Sequence, residues 1–254
     1  MHLTGIALSG LSNQGISPLD FSGLKAWYRA TDGIETVTSY KRVSGWRDLS
    51  GGGLHLNSSG GGEISETVNG PGYTSFSGTP EPLTCKVNPP AFNCFINGSP
   101  CLIIQVYTNT TAFGDNGGIS INNTAPRLDW SVQQNSNRPF RLTGLKTSMD
   151  TFGASANQKM LAYFVNYGYQ SGIINPARLY YNGVLRSKAE YASNPSALII
   201  NSSQSLAIKA AQGKFLHELI CYDQTGKTPA QMDAELQQLV QIYLNVRYPN
   251  PWVG

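Results

Sequence analysis

Apolar residues recur along this chain in short bursts rich in Val, Ile, Leu, Tyr and Phe, separated by clusters of Gly, Asn, Pro and Ser. That punctuation predicts many short strands joined by tight turns, as in a sandwich or barrel. Asn-Gly pairs at 69-70, 97-98, 116-117 and 182-183 strengthen it, because both residues tolerate the positive φ that hairpin turns need. The clearest hairpin is Ala177-Arg-Leu-Tyr-Tyr-Asn-Gly-Val-Leu-Arg186, turning at Asn182-Gly183. Cys101-Leu-Ile-Ile-Gln-Val-Tyr107 is apolar at nearly every position, which predicts a central strand covered on both faces. In Lys159-Met-Leu-Ala-Tyr-Phe-Val-Asn-Tyr-Gly-Tyr169 a period of two puts Tyr163, Val165, Tyr167 and Tyr169 on one face as an aromatic stripe.

Only one helix is strongly signalled. Thr228-Pro229-Ala230-Gln231 supplies an N-cap hydroxyl, a proline at the first helical position and a capping-box glutamine. Met232, Leu236, Leu239, Val240, Tyr243 and Leu244 then form one apolar face that must dock on the sandwich. Pro249 and Pro251 end the pattern, so the helix is expected over about 229–247. With no internal repeat and no linker, 254 residues read as one domain, spanning 21–254 and preceded by an N-terminal arm of residues 1–20.

Composition narrows the function classes. The charged fraction is 13%, with 18 Lys+Arg against 15 Asp+Glu. The basic residues are scattered, the densest group being Arg138, Arg141 and Lys146, so no stripe suited to nucleic acid is visible. The N-terminus lacks a cationic segment followed by a long apolar run, and neither a signal peptide nor a membrane span is expected. Cys85, Cys94, Cys101 and Cys221 match no zinc spacing, leaving buried free thiols or a Cys85–Cys94 clip across Pro89-Pro90.

Two blocks resemble concanavalin A-like (laminin G-like) lectin and glucanase domains. One is Leu24-Lys-Ala-Trp27-Tyr-Arg-Ala-Thr-Asp32-Gly33 with Val43-Ser-Gly-Trp46-Arg-Asp48-Leu-Ser50-Gly51, similar to that family's opening strands. The other is Gly213-Lys-Phe-Leu-His-Glu218-Leu-Ile-Cys-Tyr222-Asp223, similar to its closing strand before a short helix. Tyr73-Thr-Ser-Phe76-Ser-Gly78 and the Asn182-Gly183 hairpin fall in matching order. The resemblance implies an all-β jelly-roll sandwich of two antiparallel sheets with one C-terminal α-helix. It also implies lectin-like binding at the virion surface of a bacteriophage, on capsid or tail.

Candidate catalytic patterns are thin. Glycosidases on such sandwiches carry alternating Glu and Asp on one strand, so that an acid and a nucleophile flank one bond. Glu63-Ile-Ser-Glu66 lacks both the central Asp and the alternation. His217-Glu218-Leu-Ile-Cys221 ends in Cys where the zinc signature has His, and on a regular strand His217 and Cys221 share a face roughly 13 Å apart. Gly226-Lys227-Thr228 is the tail of a phosphate loop whose first glycine is replaced by Cys221. The three histidines, His2, His55 and His217, have no Gly-x-Ser-x-Gly elbow to pair with. The chain is therefore expected not to be an enzyme.

Binding candidates are richer. Trp130 beside Asp129 and ahead of Gln133 groups an aromatic face with amide and carboxylate acceptors, which suits a sugar; the plainer alternative is a core tryptophan. The exposable end of the tyrosine stripe, Tyr167 and Tyr169, is a stacking or contact surface or else part of a half-buried structural stripe. For calcium the best place is Asp115-Asn116-Gly117-Gly118, where a single carboxylate makes a weak hard-cation site, and no cofactor is expected. The expected partners are a glycan or host-surface receptor and other virion proteins, in a homo-oligomer or larger assembly. A capsid decoration protein and, more remotely, a divergent glycoside hydrolase are the alternatives.

Overall fold

The computed structural model describes residues 15–37, 42–57, 62–67, 70–75, 83–86, 93–95, 97–109, 118–121, 128–131, 140–142, 159–169, 171–191, 205–209 and 214–249. In chain order the strands are β1 (Leu24–Arg29), β2 (Ile34–Val37), β3 (Arg42–Trp46), β4 (Leu56–Asn57), β5 (Gly62–Thr67), β6 (Gly70–Ser75), β7 (Leu83–Lys86) and β8 (Cys101–Asn109). They continue as β9 (Gly118–Ile121), β10 (Leu128–Ser131), β11 (Phe140–Leu142), β12 (Lys159–Asn166), β13 (Ala177–Tyr181), β14 (Val184–Ala189), β15 (Ser205–Lys209) and β16 (Lys214–Asp223). Every pairing among them is antiparallel.

Hydrogen-bonded neighbours run β11-β10-β9-β15-β7-β4-β3-β5-β6-β16-β8-β12-β13-β14, with β1 also on β16 and β2 on β3. The link from β6 to β16 is a single pair, Tyr73 with Leu216, and there the ladder passes from one layer to the other. Packing shows the layers facing each other. Ile103, Phe164 and Leu179, from β8, β12 and β13, share an apolar cluster with Trp46, Leu56 and Leu83 from β3, β4 and β7.

The alternate side chains of the same strands point the other way. Leu102, Ile104, Leu161, Tyr163 and Val165 join Trp27, Met232, Leu239 and Leu244 in a second cluster beneath the C-terminal helix. Strand β8 lies between β16 and β12 and is buried from Cys101 to Thr108. Two apolar faces at successive positions are what a strand needs when one face meets a second sheet and the other meets a helix.

That helix, α1 (Pro229–Gln238), continues through a π-helical stretch (Leu239–Leu244) into a last α turn (Asn245–Arg247). At its start the Thr228 hydroxyl accepts from the Gln231 N–H at 3.3 Å, and the Thr228 N–H donates to the Gln231 side chain at 2.8 Å. Within the π-helical stretch Leu239, Tyr243 and Leu244 are buried. The Asn182-Gly183 hairpin forms as expected, with φ of 48° and 80°, the positive pair that a twist-matched turn requires. Before β1, Pro18–Asp20 makes a short 3-10 turn capped by Ser17, and the Tyr222 hydroxyl donates to the Pro18 carbonyl at 2.9 Å.

Cys94 is a free buried thiol, as are Cys101 and Cys221, so of the two readings open from sequence the free thiol holds and no Cys85–Cys94 clip forms; burial pushes all three thiols well above the usual range. One expectation is corrected here. Pairing of β16 with β8 slips between Leu216 and Glu218, leaving His217 as an extra residue. The bulge re-phases the strand: Leu216, Leu219 and Cys221 face the inter-sheet core, while the His217 ring lies 6.3 Å from Tyr248 at the end of the helix. His217 and Cys221 therefore lie on opposite faces, because a one-residue insertion flips the alternation.

Candidate functional site

Strands β8, β12 and β16 end together. Cys101 is the register partner of both Asn166 and Asp223, so the segments before β8, after β12 and after β16 meet at one edge of the sandwich. There they enclose a cleft of about 340 Å³ lined by Asn97, Ser99, Pro100, Tyr169, Ser171 and Lys227, with Tyr167 and Pro229 on its wall.

Each wall is pinned by backbone chemistry. The Asn166 carboxamide, fully buried, donates to the Ser99 carbonyl at 2.9 Å and accepts from the Gly168 N–H at 3.1 Å, tying the first two walls together. The Tyr169 N–H donates to the Gly98 carbonyl at 2.7 Å, and the Gln224 N–H donates to the Pro100 carbonyl at 2.9 Å. Gly168 has a φ of 97°, and a Cβ there would meet the Pro100 ring at 3.0 Å; the chain turns here because only glycine takes that conformation without strain. The turn also takes Tyr169 off the stripe.

The tyrosines of the stripe consequently have different fates. Tyr163 stacks on Tyr180 with centroids 4.7 Å apart, buried under the helix. Tyr167 is 4% exposed; its hydroxyl donates to Asp233 of α1 at 2.5 Å and its ring lies beneath the Arg178 guanidinium at 4.8 Å. Burial, then the Asp233 bond, push that hydroxyl's pKa upward. Tyr169 is 39% exposed, with its ring held edge-on by Tyr191 at 5.6 Å. It is the side chain of the stripe that presents a free aromatic surface at the cleft.

Among the described residues Lys227 supplies the charge on the lining. Its ammonium donates to the Ser22 carbonyl at 2.9 Å and to Glu235 at 2.6 Å.

A second polar group lies beneath the helix. Glu218, 1% exposed, accepts at Oε1 from the Trp27 indole N–H and the Tyr243 hydroxyl, both at 2.6 Å, with Arg247 3.8 Å from Oε2. Burial raises its pKa against the pull of those donors. Beside it, Nε2 of His217 bonds the Thr108 hydroxyl at 2.8 Å and Nδ1 bonds the Pro71 carbonyl at 2.7 Å. Burial pushes this imidazole down to about 4. These groups join helix to sheet. Asp48 does comparable work near β1: its carboxylate accepts from the backbone N–H groups of Trp27, Ser50 and Leu54.

Of the residues singled out from sequence, Tyr167 and Tyr169 meet at the cleft. Asp129 and Trp130 lie on β10, paired with β9 and β11, in a part of the sandwich without backbone pairing to the cleft strands. Gln133, Asp115 and Asn116 lie outside the described residues. Among the described residues no three His, Cys, Asp or Glu are grouped to hold a metal, and no helix is long and apolar enough to cross a membrane. Asn97, Ser99 and Pro100 carry no binding signal in the sequence beyond the Asn97-Gly98 turn, and Lys227 appeared there only in the incomplete phosphate-loop tail; strand pairing brings them together.

No family model and no curated protein matches the chain. Solved structures do. A Trypanosoma rangeli sialidase in complex with sialic acid superposes with a TM-score of 0.51 at 11% identity, over 91% of this chain and 35% of the sialidase. Domain 4 of AbnA, a GH43 extracellular arabinanase from Geobacillus stearothermophilus, in complex with arabinotriose, superposes at 0.51 and 12% identity, over 84% of this chain and 97% of that domain. The fold is a jelly-roll sandwich of antiparallel sheets with one C-terminal helix. The chain spans about a third of the sialidase and nearly all of the arabinanase domain.

These matches overturn the expectation that the chain is not an enzyme. Chains sharing the jelly roll come from a sialidase and an arabinanase, both enzymes, so neither the fold nor the missing run of carboxylates excludes catalysis. The reason is physical: a carboxylate run on one strand is only one way to assemble acid and base. Glu218, for example, gathers partners from β1 and the π-helical stretch that no local motif announces. The bacteriophage setting gains no support from either match.

Proposed function

We propose that this jelly roll binds a carbohydrate, free or displayed on a cell-surface receptor, in the cleft at the ends of β8, β12 and β16. The observation that carries the reading is Tyr169, an exposed ring held rigidly by Tyr191 and its own backbone bond, at the mouth of a cleft lined by amide and hydroxyl groups. A tyrosine face offers area for the C–H surface of a sugar at little entropic cost, and flanking Asn and Ser groups suit hydroxyls. The sugar complexes of the sialidase and of the arabinanase domain support the same class of ligand for this fold.

The test is a glycan array followed by calorimetry on the best ligand. Tyr169→Ala is expected to weaken binding by tenfold or more, about 1.4 kcal/mol, with the thermal midpoint nearly unchanged because the ring is partly exposed. If binding survives Tyr169→Ala and is lost in Trp130→Ala, the site lies on β10 instead.

A further inference from the structure

The charges around the cleft say what kind of sugar it takes. Among the described residues Lys227 is the charged side chain on the lining, and two of its three ammonium protons are already placed, on the Ser22 carbonyl and on Glu235. The surroundings are matched in the same way. Asp233 takes the Tyr167 hydroxyl while Arg178 lies over that tyrosine's ring, and Asp223, at the end of β16, faces Lys25 at 3.7 Å.

Resting on the carbohydrate reading above, we infer that the cleft selects an uncharged saccharide and rejects sugars carrying a carboxylate, because Lys227, the one lining cation among the described residues, is neutralised by Glu235. An entering carboxylate loses water and meets no free cation among the described lining residues, while Glu235 and Asp233 stand close by; such desolvation without a partner is unfavourable. A neutral sugar carries no such penalty. Its hydroxyls exchange water for the Asn97 and Ser171 groups and its ring stacks on Tyr169, interactions that salt does not screen.

An array that pairs neutral oligosaccharides with uronate- and sialate-terminated ones of equal length tests this directly. The expected result is a preference for neutral ligands of about tenfold or more, with the dissociation constant of the best neutral ligand changing less than about twofold between low and high salt. Glu235→Gln leaves the Lys227 ammonium unpaired. In that variant acidic ligands are expected to gain about tenfold in affinity and to acquire a salt dependence that the natural protein lacks. Preference of the natural protein for acidic ligands overturns the inference and leaves the carbohydrate reading standing, as does a Glu235→Gln variant that still rejects them. If no glycan of either kind binds, the carbohydrate reading itself fails.

Discussion

Single side chains in this molecule hold separate parts of the chain together. Asn166 clamps the two loops of the cleft, Asp48 gathers three backbone N–H groups, and Glu218 and His217 tie the sheet to the helix. The last two make stability depend on pH in opposite directions. Burial holds His217 neutral down to about pH 4 whereas the unfolded imidazole takes its proton near 6.5. Its contribution is complete above pH 6.5 and is lost as pH falls toward 4, an acid loss of up to about 3 kcal/mol. Glu218 is raised, so the folded state holds its proton more tightly than the unfolded chain does; its contribution is present at low pH and disappears as pH rises through the folded value. Urea denaturation across this range should therefore show His217→Gln flattening the acid limb. An unchanged slope in that variant would mean that the buried ring is not the group that titrates.

At the scale of elements, local sequence chemistry and tertiary docking divide the work. The C-terminal helix begins where the Thr228–Gln231 capping box satisfies two N–H groups that have no helical partner. Thr228→Ala is expected to lower stability by about 1 kcal/mol, measured by denaturant unfolding, and to loosen the adjacent Lys227 wall of the cleft. What fixes the helix in place is its apolar face: Met232, Leu239, Tyr243 and Leu244 are buried against Leu161, Tyr163, Val165 and Ile220. Tyr243 on this face also donates its hydroxyl to Glu218. The bulge at His217 serves the same contact from the sheet side, since a regular strand would turn the ring into the inter-sheet core.

For the molecule as a whole, the central sheet is buried on both faces by different means, a second sheet on one side and the helix on the other. Removing the helix should thus leave a sandwich with a bare apolar face of the size that drives association. A chain ending at residue 228 is expected to aggregate or to bind a hydrophobic dye strongly, checked by light scattering and dye fluorescence beside the full chain. A soluble, dye-silent truncation would show that the helix is an accessory and not a layer of the fold. The same layering places the cleft, because three strands sandwiched in this way end at one edge and their loops have nowhere else to go.

The sequence by itself determined what depends on neighbouring residues. Turn chemistry at Asn182-Gly183, the doubly apolar run from Cys101 to Tyr107 and the Thr228–Gln231 cap are set by φ preferences, period and side-chain reach over a few positions, and each is present where it was expected. Tyr169 was legible as an exposable end of the stripe. Its companion Tyr167 was not legible as a buried donor to Asp233, because period two says which residues share a face and not what covers that face. Only the tertiary structure decided the cleft and the His217–Glu218 group. Asn97, Tyr169 and Lys227 come from three distant segments, and they meet because β8, β12 and β16 pair in a register that a one-residue bulge re-phases. Register is fixed by the packing of whole layers, and no local window of residues encodes it.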